Sequence, residues 1–207
     1  MPNSIWDYFP CYFVPQNAYS KYCTMSDEVL LIGSESAGKS TLIKRIREIS
    51  CIQTNSIDSD NVLGEVITQT IGVDIVDINY FSSVFKIREL GSAISSRWHT
   101  YFQESVALVF VIDASDPASW SQAYVFLHES LSFGNCWKGK EILVVLNKVD
   151  IADWMTLNAC ENMLGLDILT AGDKHITIAQ GSCVAGSGAG KALAKQVIDW
   201  IMKSIHP

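Results

Sequence analysis

Gly33-Ser34-Glu35-Ser36-Ala37-Gly38-Lys39-Ser40 sets two glycines, a lysine and a hydroxyl at the spacing G-x-x-x-x-G-K-[ST]. Residues of these types at this spacing can wrap phosphate. Successive backbone N–H groups form an anion nest, the Lys39 ammonium reaches β- and γ-phosphates, and the Ser40 hydroxyl is a Mg²⁺ ligand, with Thr41 next to it on the same surface. An apolar run at 29–32 stands directly before the loop and a helix-like stretch at 41–49 directly after it. A chance match in a glycine-containing turn is the plainer alternative, and the flanking strand and helix argue against it. The expected ligand is a nucleoside triphosphate.

A second cluster selects the base. Asn147-Lys148-Val149-Asp150 follows the buried-strand run 142–146 and has the form N-K-x-D. The Asp150 carboxylate only accepts, so it can take two hydrogen bonds from the N1–H and 2-amino group of guanine. Adenine has no donor at N1 and would leave that carboxylate desolvated and unpaired, a mismatch that discriminates strongly. The two motifs, in this order and both at strand ends, point to GTP and GDP with Mg²⁺.

These groups must be positioned by a folded core, and the composition supplies one. The chain has 207 residues, 48% of them apolar, enough for one large domain. No apolar run approaches the roughly 20 residues of a membrane-spanning helix, so a soluble, cytoplasmic protein is expected. A net charge of −7 argues against a nucleic-acid surface. Cys11, Cys23, Cys51, Cys136, Cys160 and Cys183 show no C-x-x-C spacing and read as reduced thiols, neither a zinc site nor a disulfide framework.

Residues 1–26 form an extension distinct from the domain expected at 27–207. It carries Pro2, Pro10 and Pro15 together with Trp6, Tyr8, Phe9, Tyr12, Phe13, Tyr19 and Tyr22. It lacks the basic start and long apolar stretch of a secretory signal. Residue 2 is proline, so N-myristoylation is not expected. An aromatic segment of this kind can lie on a membrane interface through residues 1–25; a docked or disordered tail is the plainer reading.

From Asp27 onward, short apolar runs alternate with helix-like segments, the pattern of a mostly parallel sheet covered on both faces. Strands are expected at 28–32, 73–79, 84–90, 106–112, 141–146 and 175–179, the second and third as an antiparallel pair. Helices are expected at 39–49, 117–131, 156–164 and 190–205, giving six strands and about five helices. The polar stretch 50–69 reads as a functional or mobile loop. Residues 185–192 imitate a second phosphate loop, but Ala185 replaces the leading glycine and Ala192 the hydroxyl, so a small-residue entry to a helix is the better reading. His99, His128, His175 and His206 are scattered, and Trp120, Trp137, Trp154 and Trp200 read as packing residues.

With both motifs in place, the stretch from Asp27 to Ile205 resembles the small GTPases of the ADP-ribosylation-factor-like branch, and the resemblance implies the α/β P-loop fold of a small G-domain. Gln69-Thr70-Ile71-Gly72 is similar to the family's first switch, with Thr70 in the place of its Mg²⁺ ligand. Trp98-His99-Thr100-Tyr101-Phe102-Gln103 is similar to the segment after the second switch, and Ser182-Cys183 stands where a backbone N–H meets guanine O6. Glu35 matches an acidic residue that the family carries in the phosphate loop. The resemblance implies effector proteins, an exchange factor and an activating protein as partners, and a role in membrane or ciliary trafficking at the Golgi or cilium.

The second switch departs from the family. Members usually read D-x-G-G-Q, whereas Glu89-Leu90-Gly91-Ser92-Ala93 stands here. Glu89 keeps a carboxylate able to hold a magnesium-bound water. Gly91 is expected to leave its N–H free for the γ-phosphate. Ala93 removes the glutamine that orients the attacking water, so intrinsic hydrolysis should be slow. Three functions remain open on these residues: a GTP-dependent molecular switch, a non-hydrolysing GTP-binding scaffold, and, much weaker, an ATP-using P-loop enzyme.

Overall fold

A computed structural model of the chain describes residues 27–54, 70–152, 157–165, 175–184 and 187–206. The aromatic extension, most of the polar stretch 50–69, and Trp154 lie outside the described residues.

The chain forms β1 (Glu28–Gly33), α1 (Lys39–Thr54), β2 (Val73–Tyr80), β3 (Ser83–Leu90), a 3-10 helix (Ser92–Tyr101), β4 (Ala107–Asp113), α2 (Pro117–Ser132), β5 (Glu141–Asn147), a 3-10 turn (Val149–Ile151), α3 (Leu157–Leu164), β6 (His175–Gln180) and α4 (Ser187–Ile205). One six-stranded sheet runs in the order β2-β3-β1-β4-β5-β6. Only the β2–β3 pair is antiparallel. All six expected strands are present, each within about a residue of its expected bounds.

The central strands β1, β4 and β5 are buried on both faces, which is why they read as continuous Val, Leu and Ile runs. On one face Val29 and Leu31 of β1 pack with Leu42 and Ile46 of α1 and Val197, Ile198 and Ile201 of α4. On the other, Leu30 and Ile32 pack with Trp98 of the 3-10 helix, Trp120 and Leu127 of α2, and Trp137. Trp200 is partly buried against the first cluster. The two-residue period of a strand divides β1 evenly between the two layers.

Three elements differ from the sequence reading. Helix α1 continues through 50–54 instead of yielding to a loop at Ser50, because Ile46 and Ile49 extend its buried stripe and the Ser50 hydroxyl bonds to the Ile46 carbonyl at 2.9 Å. The segment Ser92–Tyr101, given no element from sequence, is a 3-10 helix with a break at Ile94, anchored by buried Trp98. Helix α4 begins at Ser187, so Ser187 to Ala192 of the imitation phosphate loop are helical. Asp116 caps α2 by accepting from the Ala118 N–H at 3.0 Å, with Pro117 in the first turn. Among the described residues, no helix is long and apolar enough to cross a membrane.

Candidate functional site

The site lies where the parallel strands end, the place at which open α/β sheets bind ligands. The loop between β1 and α1 turns sharply there. Gly33 has φ +149 and a Cβ on it would lie 2.1 Å from the Val111 carbonyl oxygen; Gly38 has φ +94 and its Cβ would lie 2.2 Å from Asn147 Nδ2. Both positions therefore require glycine, for conformation and for space. Ser36 between them takes a left-handed conformation, φ 56. A cleft of about 340 Å³ opens over this loop, lined by residues that include Glu35, Ser36, Gly38, Lys39, Ser40 and Thr41.

Lys39 is folded onto its own loop, donating to the carbonyls of Gly33 at 3.1 Å and Ser34 at 2.8 Å. Burial lowers its pKa, against the attraction of Glu89 and Glu35, which raises it. These carbonyl bonds must yield for the ammonium to engage phosphate. Ala37 and Ser34 are buried beneath the loop, so the loop has a packed floor.

Ser40, Thr70 and Glu89 meet on one side of the cleft. The Ser40 hydroxyl donates to Glu89 Oε1 at 2.8 Å and lies 3.3 Å from Thr70 Oγ1. Burial raises the Glu89 pKa, opposed by hydrogen bonds from Ser40 and Thr70 and by the Lys39 charge. Two hydroxyls and a carboxylate form the all-oxygen donor set that a hard cation such as Mg²⁺ takes, so the residues present fit that ion.

Across the cleft stands Asn147, wholly buried at the end of β5. Its Nδ2 donates to the Ala37 carbonyl at 2.8 Å and its Oδ1 accepts from the Cys183 N–H at 2.9 Å. Lys148 follows in the left-handed region, φ 63, and its Nζ sits 2.6 Å from Asp113 Oδ2. Burial would raise the Asp113 pKa, but hydrogen bonds from Lys148 and Ser115 outweigh it and hold the carboxyl below its ordinary range. Asp150 is exposed, two residues beyond Lys148, which lines the cleft.

One expectation is corrected. The Gly91 N–H is not free: it donates to the Gly72 carbonyl at 2.8 Å, because the β2–β3 ladder runs one bond past Leu90. At Ser182-Cys183 the Cys183 N–H donates to Asn147 Oδ1 at 2.9 Å and the Ser182 hydroxyl accepts from the Val184 N–H at 3.3 Å. Both residues are buried, and Arg45 Nε binds the Cys183 carbonyl at 2.9 Å. Ala93 is exposed in the first turn of the 3-10 helix and carries nothing that could orient water.

Sequence reasoning missed Asp113 as the partner of Lys148, and Ser92 and Val184 as cleft-lining residues. For Asp113 a signal existed, since a carboxylate ending an apolar strand run is seldom idle.

Comparison with known proteins gives a consistent pattern. The family described as "ADP-ribosylation factor family" matches residues 16–205. Human ADP-ribosylation factor-like protein 16 is 33% identical over 168 residues, 80% of this chain and 82% of that protein. ADP-ribosylation factor-like protein 8b of Arabidopsis thaliana is 29% identical over 178 residues, 85% of this chain and 86% of that one. Among solved structures, the Arl6 BBS3 small GTPase of Trypanosoma brucei, with the bound nucleotide analogue GppNp, aligns with a TM-score of 0.68 at 20% identity, covering 86% of this chain and 96% of that one.

Proposed function

The chain belongs to the ADP-ribosylation factor family of nucleotide-binding small GTPases, and from that premise we propose that it is a switch that binds Mg²⁺ with GTP or GDP and changes its affinity for partners when the γ-phosphate is lost. The observation that supports this reading is the convergence of the glycine loop, Ser40, Thr70, Glu89 and Asn147-Lys148 on one cleft. Ser40 and Thr70 would hold the ion, with Glu89 acting through a water on it, and the ion when bound neutralises phosphate charge. The loop N–H groups and Lys39 would bind the phosphates, and Asp150 would select guanine.

Slow intrinsic hydrolysis is part of the proposal, because phosphoryl transfer depends on positioning and Ala93 positions nothing. A partner supplying a water-orienting group and an arginine in trans would then control turnover, the arginine alone contributing roughly 10³–10⁵ in rate. The edge of the sheet offers a surface for effectors. Ile71, Val73 and Ile75 are 73%, 41% and 50% exposed at alternate positions on and before β2, an apolar row continuous with Thr70. A role in membrane or ciliary trafficking, from the cytoplasmic side, accords with the family. Ala93 also favours a second reading, in which GTP is held permanently and the protein is a scaffold.

Trp98 distinguishes the two. Its indole N–H donates to the Gly91 carbonyl at 3.0 Å, so its fluorescence reports on the second switch. A switch predicts different emission for the GDP-loaded and the non-hydrolysable-GTP-loaded chain, the difference vanishing in Trp98→Phe. Identical emission in both states would favour the scaffold.

A further inference from the structure

Cys183 is held at both polar ends of its backbone. Its N–H donates to Asn147 Oδ1 at 2.9 Å, and its carbonyl accepts from Arg45 Nε at 2.9 Å. The first bond ties the loop after β6 to the end of β5, and the second ties it to α1, across 138 residues of chain. Nearer β6 the loop is fixed to the N-K-x-D segment: the Gly181 N–H bonds to the Leu146 carbonyl, and the Gly181 carbonyl takes the Val149 N–H. Val184 follows Cys183, 65% exposed, and lines the cleft beside Asn147 and Lys148. A single bond to Asn147 would leave this part of the loop free to turn about it. Bonds on opposite sides of one residue fix it, so its ordering cost is met before a ligand arrives. Arg45 is itself aimed. Its Nη1 pairs with Glu48 Oε2 at 2.8 Å, three residues along α1, and the Glu48 side chain is 5% exposed. A guanidinium is a rigid planar fork, so fixing one nitrogen sets the direction of the others.

We propose that Arg45, aimed by Glu48, is a positioning residue for the base end of the nucleotide site, holding Cys183 and Val184 against Asn147-Lys148. The proposal rests on the reading that this cleft takes a guanine nucleotide. Arg45 is not a wall of the cleft, so it acts through the loop it holds. Its effect falls on the base, at the opposite end of the ligand from the phosphates assigned to Lys39 and Ser40. Loss of Arg45 therefore weakens GTP and GDP by the same factor and leaves a ligand that has phosphates but no base untouched. A general loosening of the fold would weaken all three.

The full chain, stripped of nucleotide, is titrated calorimetrically in Mg²⁺ with GTP, GDP and inorganic tripolyphosphate, for wild type, Arg45→Met and Glu48→Ala. Arg45→Met should bind GTP and GDP about tenfold more weakly, the loss expected for one hydrogen bond from a charged group, and tripolyphosphate within about twofold of wild type. Glu48→Ala, which frees the guanidinium without removing it, should weaken GTP and GDP by about threefold. A second readout needs no nucleotide. Burial pushes the Cys183 thiol up to about 12, and the Arg45 charge opposes this. Removing that charge alone would raise the thiol further and slow its alkylation, whereas release of the loop would speed it. Peptide mapping after iodoacetamide should show Cys183 labelled about fivefold faster or more in Arg45→Met than in wild type. An equal loss on all three ligands, an unchanged GTP affinity in Arg45→Met, or Cys183 labelling no faster than in wild type overturns the proposal. Should Arg45→Met fail to fold, Glu48→Ala decides by the same criteria. Should the wild type bind no tripolyphosphate, the labelling decides; should it bind no GTP, the switch is refuted and the labelling still decides whether Arg45 holds the loop.

Discussion

Asn147 Nδ2 lies 2.8 Å from the Ala37 carbonyl oxygen, a hydrogen bond that ties the phosphate loop to the end of β5 across 110 residues of chain. The same side chain takes the Cys183 N–H at 2.9 Å. One wholly buried amide therefore joins three loops, those after β1, β5 and β6. Gly38 is packed against it so closely that no other residue fits there.

Asn147→Ala should leave the Ala37 carbonyl and the Cys183 N–H buried without partners. Each such group costs about 1–3 kcal/mol, so a loss of stability of about 2 kcal/mol or more is expected. Urea denaturation should show a lower midpoint at an unchanged slope. A midpoint within error of the wild type would mean that the loops are held elsewhere.

Cys183 should be the slowest of the described thiols. Burial pushes its pKa up to about 12, against the pull of Arg45, so at pH 8 almost no thiolate exists. Among the described cysteines, Cys51 and Cys136 are both half-buried and should label before Cys183. Peptide mapping after brief iodoacetamide treatment of the native protein checks the order. Early modification of Cys183 would show that the loop carrying it opens readily.

Ser40→Asn should weaken Mg²⁺·GTP binding more than GDP binding, because it would remove one of the hydroxyls proposed to hold the ion. Titration with each nucleotide in Mg²⁺ measures this. Unchanged GTP affinity would remove Ser40 from the ligand set.

Ala93→Gln should raise intrinsic hydrolysis. The gain is limited because Ser92 and the Gly91–Gly72 bond also shape this switch. Single-turnover loss of the γ-phosphate at equal occupancy is the comparison. A wild type as fast as ordinary small GTPases, or a variant no faster than wild type, would place the limiting absence elsewhere.

The parallel strands were legible because burial on both faces leaves an unbroken apolar run, as in β1 and β5. Both motifs were legible as patterns because their residues are contiguous, and the structure brings the loop and Asn147-Lys148 to one cleft. The 3-10 helix was not: Ile94 and Trp98 within it and Phe102 at its C-cap have helical spacing, but the serine-rich start hides it. The fates of the Gly91 and Cys183 amides were also hidden. Sequence identifies a donor, while its acceptor is set by tertiary contacts, here Gly72 and Asn147. The reach of Glu89 to Ser40 belongs to the same class, since it spans 49 residues.

The most direct test of guanine-nucleotide binding is calorimetric titration of the nucleotide-stripped chain with GTP and with ATP in Mg²⁺, repeated with GTP and xanthosine triphosphate on Asp150→Asn. An acceptor-only carboxylate at the base predicts ATP at least roughly 100-fold weaker than GTP, and a variant that prefers the xanthine base because its amide can donate. ATP binding within a few-fold of GTP, or an Asp150→Asn chain that still prefers guanine, would contradict the assignment.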